Sequence, residues 1–203
     1  MTFELPVAGN APPKEREDAA RNRERVTEAA AKLFRECQDP EGVDMRAIAA
    51  EAGVGVGTLY RRFGDKASLA ANVLDDHARA LQDAIISGPP PLGPGAPAGK
   101  RLEAFLRALV EHTEKELDLV YAVEHSLPGG RFALGPYPAW HLHTTVLLRE
   151  IAPEADHEWL ADALLAPLSS SLYRHQRRER GLSPEQVADQ LTLLARAVYG
   201  SRP

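Results

Sequence analysis

The stretch DMRAIAAEAGVGVGTLYRRF, residues 44–63, constrains the fold of this 203-residue chain more than any other. Asp44 is placed to cap a short helix whose inward face is Ile48, Ala49 and Ala52. Gly53 ends that helix, because a left-handed position after a helix carries no side-chain penalty for glycine. Val54 packs the turn, and a second short helix buries Leu59 and Phe63. Ala49 and Gly53 are small where the two helices must approach closely. Two short helices joined by a glycine turn make a helix-turn-helix, a unit whose second helix lies in the major groove of DNA. The outward face of that second helix carries Val56, Gly57, Thr58, Tyr60 and Arg61. It offers a close backbone approach, two hydroxyls and a guanidinium, which suit phosphate oxygens and base edges. The glycines at 53, 55 and 57 do not make a nucleotide-binding turn, which needs a preceding strand and a different spacing.

Arg46, Ile48-Ala49, Ala52-Gly53-Val54, Gly57-Thr58-Leu59-Tyr60, Phe63, Lys66 and Leu69 together resemble the tetracycline-repressor (TetR) family of bacterial transcription regulators, in a gapless register over about residues 21–80. The resemblance implies an all-α fold: an N-terminal three-helix helix-turn-helix domain and a C-terminal helical domain for ligand binding and dimerisation. It implies a homodimeric repressor that binds a pseudo-palindromic double-stranded DNA operator and is released by a small-molecule effector. The DNA contacts it assigns are Arg46, Gly55, Val56, Gly57, Thr58, Tyr60, Arg61 and Lys66. Gly55 departs from the family, which more often has a serine capping the recognition helix; glycine is only slightly worse as a cap.

Charge alone points the other way. The net charge is −5, and residues 14–86 carry twelve Lys and Arg against fourteen Asp and Glu, a net of −2. The basic domain that usually marks DNA binding is absent. What favours DNA is position: Arg46, Arg61, Arg62 and Lys66 lie in or beside the motif, while Asp75, Asp76 and Asp83 lie further along. Cys37, the only cysteine, excludes an intramolecular disulfide and a cysteine-based zinc site, and its place on an apolar stripe predicts a buried thiol. No signal pattern or membrane-length apolar run is present, so the expected compartment is the cytoplasm.

Read in order, residues 1–13 are a disordered arm and 14–86 the DNA-binding domain with its connecting helix. The first helix has an apolar stripe of Val26, Ala30, Leu33 and Cys37. Arg16, Arg21, Arg23 and Arg25 read as a solvated charged face, with the resemblance implying a phosphate contact by one of them. After Asp65 a helix runs from Lys66 to about Ile86. SGPPPLGPGAPAG, 87–99, reads as a Pro/Gly-rich flexible linker. Residues 100–203 form the effector-binding and dimerisation domain. Within it Pro167 predicts a kinked helix, and Arg174, Arg177, Arg178 and Arg180 suit the dipole at that helix's C-terminal end. Ser183-Pro184-Glu185-Gln186 opens the last helix with a capping box. That helix is apolar on two sides: Val187, Leu191, Leu194 and Val198 on one, Leu193 and Ala197 on the other. One side covers its own domain and the other suits a partner subunit, and the resemblance implies a dimer interface through residues 156–180 and 183–199.

Chemistry is sparse. His141 and His143 point to different helix faces, His112 and Glu116 are a single pair, and no serine sits in a nucleophile elbow. No metal, no cofactor and no catalytic residue is expected. His112, Tyr121, Trp140, His143, Leu147, Trp159 and Tyr173 mix polar tips with apolar bodies and are the candidate effector pocket. The alternative is a helical ligand-binding protein or enzyme with a purely structural helix-turn-helix.

Overall fold

The computed structural model describes residues 13–36, 42–126, 130–133 and 135–199, and every regular element among them is helical. The expected arm (save Pro13) and the Cys37 thiol lie outside these residues. Four helices build the N-terminal half: α1 (Pro13–Glu36), α2 (Met45–Ala52), α3 (Val56–Phe63) and α4 (Lys66–Ser87). Their core joins Phe34, Ile48, Leu59, Leu69 and Val73 to a set of alanines that keep the helices close.

The next helix, α5 (Ala98–Ser126), is continuous, and at 29 residues it is about 43 Å long. That length lets it cross both halves of the chain. Its last third sends Leu119 and Val123 into the N-terminal core, while Phe105, Leu109 and Val110 pack in the body.

The expected flexible linker is instead a tight, packed turn. Gly88 caps α4 through Ala84, the Gly93 N–H donates to the Pro89 carbonyl at 3.0 Å, and Leu92 packs against the body core. A Cβ on Gly93 would meet the Gly88 carbonyl oxygen at 1.9 Å, so only glycine fits there. Proline and glycine here stop α4 and reverse the chain into α5.

The body continues with α6 (Gly130–Ala133), α7 (Tyr137–Ile151) and α8 (His157–Leu165). Pro167 breaks this last helix rather than kinking it. With no N–H to donate, it sits in a 3-10 turn, 166–168, and Ser169 is extended at φ −62 and ψ 143. Helix α9 (Ser170–Arg174) restarts the chain and a π turn, His175–Glu179, follows. Gly181, at φ +67, turns into α10 (Pro184–Tyr199), whose capping box is formed: Gln186 N–H to Ser183 Oγ at 3.2 Å and Ser183 N–H to Gln186 Oε1 at 2.8 Å.

Helix α10 lies on α5. Arg196 grips the buried Glu103 carboxylate at 3.0 and 2.7 Å over Val187, Leu191 and Ala195. Leu191 therefore belongs to the chain's own core, while Leu193 and Leu194 face outward, 61% and 45% exposed. Arg174, Arg177 and Arg178 stand in the last turns of their helices and also hold α5. Arg177 is bidentate to Glu114, which also accepts the Tyr173 hydroxyl at 2.8 Å; Arg174 lies over the Tyr121 ring and Arg178 is 3.8 Å from Asp118.

Candidate DNA interface and interior cavity

The helix-turn-helix is shaped by local bonds. Asp44 caps α2 by accepting from the Arg46 N–H at 2.9 Å, and Asp65 caps α4 by accepting from Ser68 at 2.7 Å. Gly53 adopts φ 63 and ψ 39, and its N–H and that of Val54 return to Ala50 and Ala49. Arg25, on α1, completes the turn: its guanidinium donates to the Ala52 carbonyl and, at 3.0 Å, to that of Gly53. Arg23 is likewise engaged, with Asp76 at 3.1 Å. Arg25 thus ties α1 to the turn and Arg23 ties it to α4, roles the sequence left inside a charge run.

Helix α3 buries Leu59 and Phe63 and turns Gly55, Val56, Gly57, Thr58, Tyr60 and Arg61 to solvent. Arg46 is exposed on the first turn of α2, and Lys66 is half-buried on the first turn of α4. Gly55 supplies no side-chain cap to the amides that open α3. A Cβ on Gly57 would meet nothing within 4 Å, so the fold itself does not require glycine there.

A cavity of about 60 Å³ lies between α4, α5, α7 and α8. His112 and Trp140 line it as the sequence suggested, their rings edge to face at 6.0 Å. The other five expected residues are elsewhere. Leu147 is buried in a separate cluster with Leu102 and Leu106, and His143 lies against the edge of Phe105. Tyr121 stacks on His125, Tyr173 is committed to Glu114, and Trp159 is 65% exposed. Burial pushes the His143 pKa down to about 4, with Arg101 adding to the shift.

The sequence missed most of the real wall: Leu74 from α4, Leu109, Val120, Val123 and Glu124 from α5, Arg131 from α6, and Leu165 and Leu168 beside the Pro167 break. Glu124 and Arg131 form a nearly buried ion pair. Glu124 also accepts the Ser170 N–H at 2.7 Å and hydroxyl at 2.5 Å, and Arg131 donates to the carbonyls of Leu165 and Leu168 at 2.9 and 3.2 Å. This network satisfies three backbone groups around the break: the Ser170 N–H and the Leu165 and Leu168 carbonyls.

The His112–Glu116 pair does not form a chelate, since Glu116 bonds His77 at 2.8 Å. No group of three or more metal-ligating side chains occurs among the described residues. No helix among them is long and apolar enough to cross a membrane.

Residues 26–73 match the family model of bacterial regulatory proteins of the tetR family. An HTH-type transcriptional regulator of Staphylococcus aureus (strain USA300) is 49% identical over 59 residues, which are 29% of this chain and 31% of that protein. The chain thus spans about a third of that relative's length. Solved structures match over nearly the whole fold. A TetR transcriptional regulator from Rhodococcus sp. RHA1 has TM-score 0.56 at 18% identity, covering 92% of this chain and 99% of that one. NalD, the secondary repressor of the MexAB-OprM multidrug efflux pump in Pseudomonas aeruginosa, has TM-score 0.58 at 18% identity, covering 92% and 100%.

Proposed function

Because this chain is a TetR-family DNA-binding transcriptional regulator, a member of a family of regulators rather than enzymes, we propose that it acts as a homodimeric repressor that leaves a pseudo-palindromic operator when a small molecule enters the cavity between α4, α5, α7 and α8. The observation that carries the DNA half is the outer face of α3. Leu59 and Phe63 fix the helix to the core, and Val56, Gly57, Thr58, Tyr60 and Arg61 are left facing outward together. Arg46 and Lys66 flank them as phosphate contacts, and Gly55 and Gly57 admit the DNA backbone closely.

Leu193 and Leu194 on α10 and Leu172 on α9 support pairing through 156–180 and 183–199, since large apolar side chains exposed together mark an interaction surface. The cavity supports an effector because its wall is shared: Leu74 and Val123 line it and belong to the N-terminal core. A DNA-bound regulator works in the cytoplasm.

Selection from random duplex DNA tests the reading. Enrichment of a two-half-site palindrome is expected, with half-sites about one helical turn apart. Tyr60→Ala and Arg61→Ala should weaken binding to the recovered site while melting like the parent. Lys66→Ala should weaken binding to all sequences and reduce the salt dependence. Failure to enrich any sequence at low salt would remove the proposal.

A further inference from the structure

The cavity is unusual in shape and in polarity. Its α5 wall runs from Leu109 to Glu124, which lie about 22 Å apart along the helix axis. Its volume is only about 60 Å³, whereas an apolar cavity that accepts a benzene ring is about 150 Å³. Any ligand must therefore part the walls as it enters, and a wall that runs so far along one helix axis favours a chain lying parallel to it over a compact ring.

Besides Thr113 and Tyr137, whose hydroxyl is bonded to Asp162 at 2.8 Å, its polar groups sort by end. Toward the body, His112 Nε2 is buried and has no hydrogen-bond partner among the described residues. Burial also lowers the His112 pKa, against the pull of Glu116 and with a small contribution from His77 and Lys115, so the imidazole is neutral near pH 7. Toward the helix-turn-helix, Glu124 and Arg131 neutralise each other, and both are further bonded to Ser170, Leu165 and Leu168. A charged ligand would have to break that pair to find a counter-ion. A neutral one needs only to satisfy His112.

We propose that the ligand of this cavity is an uncharged, slender, chain-like molecule with one hydrogen-bonding group, of the chemical class of a medium-chain alcohol, with that group at His112 and the chain lying along α5 toward Leu74 and Val123. The proposal rests on the reading of the cavity as the effector site and adds the class of effector.

Trp140 lines the cavity and Trp159 is exposed, so Trp159→Phe leaves one reporting tryptophan. This protein is titrated with 1-butanol, 1-hexanol, 1-octanol, octanoate and octylammonium, following Trp140 fluorescence. Affinity should rise about three- to fourfold per methylene through the alcohols, the factor for burying a CH₂, with both ions at least tenfold weaker than 1-octanol. His112→Phe should weaken 1-octanol at least fivefold, and His112→Gln, which keeps a hydrogen-bonding group, should recover most of it. Equal or tighter binding of either ion, no dependence on chain length, or no response to any alcohol overturns the proposal. So does unchanged 1-octanol affinity in a folded His112→Phe. Operator binding is followed in parallel. Alcohols that bind at His112 yet leave the DNA complex intact defeat the effector reading alone. Release by other compounds, with alcohols unable to bind, defeats the ligand class alone.

Discussion

At the scale of single residues, Gly57 separates the needs of the fold from those of binding. Nothing in the chain lies within 4 Å of a Cβ placed there, and alanine is the better helix former. Gly57→Ala should therefore raise stability, by about 0.5 kcal/mol, while weakening operator binding by obstructing the backbone approach. A melting curve beside a binding isotherm checks both signs, and undiminished affinity would remove Gly57 from the interface. Gly53 behaves oppositely. At φ +63, with a Cβ only 2.8 Å from the Arg25 guanidinium, Gly53→Ala should lose about 1–2 kcal/mol, chiefly from the left-handed backbone because the arginine tip can move. His143 gives a pH signature. Its folded pKa of about 4 lies below the ordinary 6.5, so the unfolded chain binds its proton first on acidification. Stability should fall as pH drops from about 6.5 to about 4, and His143→Phe should flatten that slope in denaturant midpoints measured across the window. The outer face of α3 was legible in the sequence because all its residues sit at fixed offsets within twenty positions. Arg25 was not, because its partners are 27 and 28 residues away and nothing local distinguishes it from its charged neighbours.

Among the elements, caps and stops were legible where partner and target are adjacent: Asp44 and the Ser183–Gln186 box both form their bonds. Composition misled where it reports only what cannot form. Proline and glycine in 87–99 rule out helix and strand, yet they are equally suited to an ordered reversal, and Leu92 was the one sign of packing. Pro167 misled similarly, because whether a proline kinks or breaks a helix depends on what receives the freed backbone groups. Here Glu124 takes the Ser170 N–H and Arg131 takes the carbonyls of Leu165 and Leu168, groups that no local pattern connects to 167. Removing one partner leaves a nearly buried charge uncompensated, which costs about 3–5 kcal/mol. Glu124→Gln should thus lower the melting temperature by roughly 6–20 °C, taking about 2–4 °C per kcal/mol for a chain of this size. A change under 2 °C by differential scanning calorimetry would mean the break is held by packing alone. The exposed apolar pair on α10 makes a separate prediction. Leu193→Asp with Leu194→Asp should give a folded monomer by sedimentation, whereas Leu191→Asp, inside the chain's own core, should unfold it.

At the scale of the whole molecule, the question is how an interior ligand alters DNA binding. Leu81 and Ile85, late on α4, pack in the body with Leu92, away from the N-terminal core. The shared element lies earlier: Leu74 lines the cavity and is packed with Leu69, Val73 and Phe34, while Val123 brings α5 into the same cluster. A ligand that widens a 60 Å³ space must push α4 from α5 where they hold the helix-turn-helix. It weakens DNA binding only so far as it prefers that displaced arrangement, a coupling typically worth about 1–3 kcal/mol. Trimming Leu74 shortens the side chain that meets the ligand while leaving α3 untouched. Leu74→Val should therefore bind ligand within about threefold of the parent but cut the ratio of operator affinity without and with ligand by more than about threefold, a large part of such a coupling. Ile85→Val, a comparable loss in the body, should leave that ratio unchanged. Anisotropy titrations of labelled operator with and without saturating ligand give both ratios. Equal ratios in the two variants, at equal ligand affinity, would place the coupling outside the α4–α5 contact at Leu74.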